Sequence, residues 1–215
     1  MYKHVLFDLD GTLTDSKEGI IKSVAYALDK MGIDKTGKLE QHIVVGPPLM
    51  YTFTEVYGFS QQQAEQCYSY FQERYSTTGK FENKPFDGIL SMLQTLKDHG
   101  VCSYVATSKP AVHARAIADR FGLTPYLSMI SGSELGGTET KALMIERVLD
   151  QIGPHGTDEV IMVGDRKYDV IGAREKGIPV ILVAFGYSSE EERQECKADY
   201  VVPSVSALTD VLLNN

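Results

Sequence analysis

The chain reads as an α/β protein: a doubly wound parallel sheet interrupted, after its first strand, by an all-helical insertion. Three observations predict this. From residue 85 onward, short apolar runs alternate with helical stripes, the pattern of a parallel sheet with helices on both faces. Val160 to Val163 and Val180 to Val183 are continuously apolar, as strands covered on both sides must be. Between residues 16 and 80, by contrast, apolar residues recur at helical spacing and no strand pattern breaks them.

Val5-Leu6-Phe7 opens the chain as a buried strand. Ile20, Ile21, Val24, Leu28 and Met31 then form a helical stripe that Gly32 ends, and apolar and aromatic residues continue at this spacing through Tyr75. The insertion is assigned to 16–81 and the α/β core to 1–15 and 82–215, with hinges near Thr14 to Ser16 and Asn83 to Phe86. Asp87 is expected to cap a helix carrying Leu90, Leu93 and Leu96, closed by Gly100. Val101 to Ala106 reads as a strand, Val112 to Phe121 as a helix ended by Gly122, and Met129-Ile130 as a short strand. Lys141 to Ile152 carries the stripe Leu143, Val148, Leu149 and Ile152 and stops at Gly153. The strand Val160 to Val163, a helix from Tyr168 to Lys176, the strand Val180 to Val183, a strand at Tyr200 to Val202 and a helix from Ala207 to Leu213 complete the alternation.

The composition narrows the function. With 215 residues the chain buries a core without needing disulfides. Hydrophobic residues make up 43% and charged residues 23%, as in ordinary globular proteins. A net charge of -8 argues against a nucleic-acid polymer or an anionic membrane as partner, since either needs a broad basic face. Cys67, Cys102 and Cys196 form no C-x-x-C pair, so no zinc knuckle or redox dithiol is indicated, and buried or inert thiols in a reducing cytoplasm are expected. Asp8 and Asp10 interrupt the apolar stretch at the N-terminus, which is therefore not read as a signal peptide. The run Ile178 to Phe185 is too short to span a bilayer.

Chemistry concentrates at four places where a strand has just ended. The first is Asp8-Leu9-Asp10-Gly11-Thr12. Residues i and i+2 of a strand face the same side, so both carboxylates can point at one ligand, and Gly11 permits the sharp exit. Burying two like charges is costly unless a cation compensates them. A divalent metal does so, whereas the plain alternative is an Asp-Gly turn. The second is Thr107-Ser108-Lys109-Pro110, where a hydroxyl and the amides leading into a helix can form an anion site or a simple helix cap. The third is Lys141, a cation in the first turn of a helix, where the helix dipole disfavours it. A bound phosphate accounts for it, and solvation is the alternative. The fourth is Gly164-Asp165-Arg166-Lys167-Tyr168-Asp169, whose carboxylates one turn apart suit Mg²⁺ rather than Zn²⁺, unless this is an ordinary Gly-Asp turn. Ligands of open α/β sheets bind at the carboxyl ends of the strands, and all four segments fall there.

In this order, the four segments resemble the haloacid dehalogenase-like phosphohydrolases over essentially the whole chain. The resemblance implies a Rossmann-like core with an inserted helical cap. It implies that Asp8 is a nucleophile that becomes an aspartyl-phosphate and that Asp10 is the general acid, then the base for water. Thr107 and the Ser108 amide would bind the phosphoryl group, and Lys141 would neutralise it. Asp8, the Asp10 carbonyl and Asp165 would hold Mg²⁺, with Asp169 as a further ligand or just behind the ligands. These roles suit the chemistry. Phosphate monoesters need accelerations of up to ~10²¹. Acid–base help supplies ~10²–10⁴, so positioning and charge neutralisation must carry most of the rest.

Gly46-Pro47-Pro48-Leu49, Ala106 to Pro110 and Gly164 to Asp169 resemble a bacterial branch described as 5′-nucleotidase-like, close to phosphoglycolate phosphatases. Ser108 stands where the latter usually carry Asn, and Ala142 where many carry Pro, which weighs against phosphoglycolate. The expected substrate is a small soluble phosphorylated metabolite, with nucleoside 5′-monophosphates as candidates and phosphoglycolate or pyrophosphate as alternatives. Gly46, Lys109 and Arg166 are candidate substrate contacts. Tyr51, Phe53, Tyr57, Tyr70 and Phe71 either stack on a base or, as the favoured reading, pack the cap. The expected protein is a cytoplasmic monomer or homodimer. The rival readings are a sugar phosphomutase and a non-enzymatic phosphoacceptor module.

Overall fold

The computed structural model describes residues 2–40, 44–137, 139–154, 156 and 158–214. It divides into two compact units, Met1–Thr14 with Pro85–Asn215, and Asp15–Lys84.

The first unit is built on a six-stranded sheet. Its strands are β1 (His4–Phe7), β2 (Cys102–Pro110), β3 (Leu127–Ser133), β4 (Val160–Gly164), β5 (Val180–Val183) and β6 (Tyr200–Val202). Every neighbouring pair is parallel, in the order β3-β2-β1-β4-β5-β6. The chain order therefore reverses direction at β1 and β4, the crevice where open α/β sheets bind ligands. Phe7 lies opposite both Val105 and Val163, so Asp8, the residues after Ala106 and those after Gly164 leave the sheet at one edge.

The pleat sorts the strand residues between two apolar layers. Val5, Phe7, Val105, Ile161, Val163, Ile181 and Val183 face one layer, with Leu93 and Leu96 of helix α3, Ile117 of α4 and Leu208 of α8. Leu6, Ala106, Met162, Val180 and Leu182 face the other, with Met144, Ile145 and Val148 of α5 and Val170 of α6. These helices are α3 (Ile89–Asp98), α4 (Ala111–Arg120), α5 (Lys141–Ile152), α6 (Lys167–Glu175) and α8 (Val205–Asn214), preceded by α7 (Glu190–Cys196). Each large apolar side chain buried this way contributes about 1.5–3 kcal/mol.

Among the described residues from Lys17 to Phe81, the regular elements of the second unit are all helical, joined by turns and loops. Helix α1 (Lys17–Lys30) buries Ile20, Val24, Ala27 and Leu28, and α2 (Gln61–Tyr75) buries Ala64, Cys67, Phe71 and Tyr75. Ser60 and Gln63 cap α2 reciprocally. Leu49–Tyr51 is a short helix that widens into a π-helical turn at Thr52–Val56. Phe53 and Phe71 are core residues of this unit, whereas Tyr51 is 52% exposed.

Several expectations need correction. Helix α3 is not capped by Asp87: its N-cap is Gly88, at φ +89, and the buried stripe is Ile89, Met92, Leu93 and Leu96, with Leu90 on the exposed side. Strand β2 does not stop at Ala106 but runs on to Pro110, with a register irregularity between Thr107 and Pro110. Helix α7 was not read from the apolar pattern because it buries no residue. Its signal is polar: Ser189 accepts from the Glu192 amide and three glutamates fill the first turn, where the helix dipole favours them. Of the three cysteines, Cys67 is buried, Cys196 partly buried and Cys102 exposed. Among the described residues, no helix is long and apolar enough to cross a membrane.

Candidate active site

Asp8 follows β1, and its backbone N–H donates to the Val163 carbonyl at 2.8 Å, extending the β1–β4 ladder by one residue. One carboxylate oxygen of Asp8 accepts from the Leu9 amide at 2.8 Å. The turn beyond is closed by Gly11 N–H donating to the Thr14 carbonyl at 2.8 Å. Lys141, the first residue of α5, reaches back across the sheet edge. Its Nζ lies 2.8 Å from Asp8 Oδ1 and 2.9 Å from Asp169 Oδ1, and donates to the Ala106 carbonyl at 3.1 Å. Three acceptors satisfy the three donors of this buried ammonium. Burial pushes the Lys141 pKa down, but Asp169 and Asp8 outweigh it and hold the pKa above its ordinary value. The lysine stays charged.

Asp165 and Asp169 follow β4. Asp169 Oδ2 accepts from the Asp165 and Arg166 amides at 3.1 and 3.0 Å, which shapes the loop and starts α6. Asp165 Oδ2 accepts from the Tyr187 amide at 2.7 Å, while Asp165 Oδ1 is buried with no hydrogen-bond partner among the described residues. Carboxylate oxygens of Asp8, Asp165 and Asp169 lie within 4.8 Å of one another. Burial, then the charges of Asp169 and Asp8, drives the Asp165 pKa well above the usual aspartate value. Asp169 is raised as well, chiefly by burial, with Lys141 opposing the rise.

This donor set fits a hard divalent cation. It offers oxygen ligands, an excess of acid over base and, in Asp165 Oδ1, a buried oxygen without a hydrogen-bond partner among the described residues. Glycines let the acids approach. A Cβ on Gly11, at φ +78, would stand 2.1 Å from Asp165 Oδ2, and one on Gly164 would stand 2.1 Å from Asp169 Cγ. Gly11→Ala is therefore expected to destabilise the fold by at least about 1–2 kcal/mol from the left-handed backbone alone. It should also displace Asp165 and weaken any dependence on Mg²⁺. Urea unfolding and metal titration check this, and an unchanged unfolding midpoint would refute it.

Asp165 also sets a pH dependence. A carboxyl whose pKa is raised by folding binds its proton more tightly in the folded state. Its contribution therefore falls as pH rises above the ordinary value of 3.8. Without divalent metal, Asp165→Asn should unfold at higher urea than wild type at pH 8, with the gap closing towards acid. Saturating Mg²⁺ should reverse the order. Parallel stability–pH curves for the two proteins would contradict the assignment.

The remaining expected residues divide. Thr107 is buried and its Oγ1 accepts from the Lys109 amide at 3.2 Å. Ser108 is exposed, and its carbonyl accepts from Ser133 Oγ at 2.9 Å. Lys109 is buried, with Nζ 2.8 Å from Asp10 Oδ2. Arg166 is buried too, its Nε donating to Glu192 Oε1 on α7 at 3.0 Å, and the same oxygen accepts from the Lys167 amide at 2.7 Å. Gly46 lies in the helical unit, exposed and at φ +110. Sequence reasoning missed the Tyr187 amide on Asp165 and the Lys109–Asp10 pair. A signal for the first existed: Gly186-Tyr187 follows β5 at the same sheet edge, and a Cβ on Gly186 would come 2.3 Å from Asp165 Cβ.

A sequence profile of the haloacid dehalogenase-like hydrolases matches residues 5–183. The chain is 41% identical over 212 residues to a 5′-nucleotidase of Pseudomonas aeruginosa, covering 98% of this chain and 96% of that one. It is 39% identical over 185 residues to the tyrosine-protein kinase PtkA of Mycobacterium tuberculosis, covering 85% of this chain but 62% of that protein. A solved structure of a predicted phosphatase from Clostridium acetobutylicum superposes with a TM-score of 0.91 at 42% identity, covering 100% of both chains.

Proposed function

We propose that this chain, which belongs to the haloacid dehalogenase-like hydrolase family and is a phosphatase of phosphate esters, works through an aspartyl-phosphate on Asp8. One observation carries the reading: the buried Lys141 ammonium contacts Asp8 Oδ1 at 2.8 Å beside Asp165 and Asp169. A carboxylate that must attack a phosphorus atom surrounded by anionic oxygens needs positive charge at that spot.

In the proposed reaction, an Asp8 carboxylate oxygen bonds to phosphorus. The bond from phosphorus to the ester oxygen breaks, its electron pair stays on that oxygen, and Asp10 supplies the proton. Asp10, now a carboxylate, takes a proton from water as that water attacks the aspartyl-phosphate. The phosphorus–Asp8 bond breaks, its electron pair returns to Asp8, and inorganic phosphate leaves. Thr107 and the Ser108 amide bind phosphoryl oxygens, and Lys141 opposes their charge. We assign Mg²⁺ to Asp8, Asp165 and the Asp10 carbonyl, with Asp169 holding the loop and Lys141. When bound, Mg²⁺ would neutralise and orient the phosphoryl oxygens.

The proposed substrate is a small phosphorylated metabolite, with nucleoside 5′-monophosphates first because of the Pseudomonas relative's named activity. The test is phosphate release from nucleoside monophosphates, phosphoglycolate, sugar phosphates and pyrophosphate, with Mg²⁺ and with chelator. Mg²⁺-dependent release, greatest for a nucleoside monophosphate, is expected. Conversion of a sugar phosphate without free phosphate, dependent on added bisphosphate, would instead indicate a mutase.

A further inference from the structure

Lys109 stands at the end of β2, where the strand loses regular register between Thr107 and Pro110. The irregular stretch is held tightly. Ser133 Oγ donates to the Ser108 carbonyl, and a Cβ on Gly132 would stand 2.6 Å from the Lys109 carbonyl oxygen. The side chain turns inward: it is 6% exposed, against 19% for its partner Asp10. A lysine seldom gives up its hydration this far unless an acid receives it. Here the acid is Asp10, at 2.8 Å through Oδ2, while Asp10 Oδ1 is buried with no hydrogen-bond partner among the described residues. The two oxygens of one carboxyl are thus made different.

We propose that Lys109 is a positioning residue for Asp10: its ammonium holds Oδ2 and leaves Oδ1 as the oxygen that exchanges the proton. The inference rests on the phosphatase reading above and deepens it. As the bond from phosphorus to the ester oxygen breaks, that oxygen takes the proton from Oδ1. The resulting Asp10 carboxylate faces the Lys109 ammonium already in place. Positioning matters because a misplacement of about 1 Å can cost roughly 10²-fold in rate. Lys109 is then committed to the acid and not to the anionic remainder of a substrate.

Leaving groups separate these possibilities. p-Nitrophenolate departs without a proton, whereas an alkoxide needs one. The kinetic constant kcat/KM reports steps only through departure of the leaving group, so the later use of Asp10 as a base does not enter. Wild type, Lys109→Met and Lys109→Arg are assayed with Mg²⁺ on p-nitrophenyl phosphate, glycerol 2-phosphate and phosphoglycolate. Lys109→Met is expected to lower kcat/KM for glycerol 2-phosphate about 10- to 100-fold more than for p-nitrophenyl phosphate, part of the ~10²–10⁴ that general acid catalysis supplies. Lys109→Arg is expected to recover part of the difference. Because the ratio is taken on one preparation, partial misfolding cancels. Equal losses on both esters would overturn the inference and leave the hydrolase reading standing. So would a loss confined to the KM for phosphoglycolate, which would make Lys109 a carboxylate anchor. Undiminished turnover by Asp8→Asn would overturn the covalent reading, and the inference with it.

Discussion

Asp8→Asn is expected to lower phosphate release by at least about 10³-fold on every ester, with the fold intact. The carboxamide keeps the shape of the side chain, but its oxygen is a poor nucleophile and it cannot form the aspartyl-phosphate. The structure makes the loss hard to bypass. Asp10 is anchored by Lys109 through Oδ2, and Asp165 and Asp169 each have Oδ2 held by backbone amides, which keeps these carboxyl groups from moving into the position of Asp8. Rapid quench with radiolabelled substrate should show label on wild-type protein and none on the variant. Label at an unchanged level in the variant would place the nucleophile elsewhere. The unfolding midpoint is expected to shift little, since Lys141 keeps Asp169 as counter-ion.

Lys141→Met is expected to abolish activity and to destabilise the metal-free protein by about 3–5 kcal/mol, as breaking a buried ion pair does. The methionine leaves Asp8, Asp165 and Asp169 together without the ammonium, and the Ala106 carbonyl loses a donor. The sign with pH follows from the raised pKa of Lys141. The folded lysine holds its proton more tightly, so its contribution is complete below pH 10.5 and is lost in strong alkali. Added Mg²⁺ should stabilise Lys141→Met more than wild type, because a divalent cation supplies the charge that was removed. Equal urea midpoints for variant and wild type in chelator would show that the ammonium is not needed for the fold. Arginine is not expected to substitute, since the Lys141 stem is closely packed: a Cβ on Gly172 would lie 2.9 Å from Lys141 Cγ.

What could be read from the sequence follows from the range of the forces involved. Strands β4 and β5 were legible because burial on both faces demands uninterrupted apolar runs, and α5 because its stripe ends at Gly153. Asp8 and the Asp165–Asp169 segment follow strand ends and Lys141 opens a helix eight residues beyond β3, and the structure brings these side chains together. Features set by backbone groups far apart in sequence were not legible. The Tyr187 amide on Asp165 spans 22 residues, and its local mark is no more than a Gly-Tyr pair soon after the apolar run of β5. The Lys109–Asp10 pair depends on β2 continuing past Ala106, whereas Thr107 to Pro110 reads from the sequence as an anion site or a helix cap after the strand has ended. Arg166 reads from the sequence as a candidate substrate contact because its partner Glu192 sits on α7, a helix without an apolar stripe.

Strand β1 is hydrogen-bonded along both edges, to β2 and β4, and sits in the middle of the sheet. Amides in such a place exchange with solvent deuterium only when the whole sheet opens. Leu6 and Phe7 should therefore be among the slowest-exchanging amides of the protein, with the reacting carboxylate mounted directly after them. Warming then does not loosen the chemistry by degrees. Thermal inactivation is then expected to track the fraction of chains that have lost the sheet.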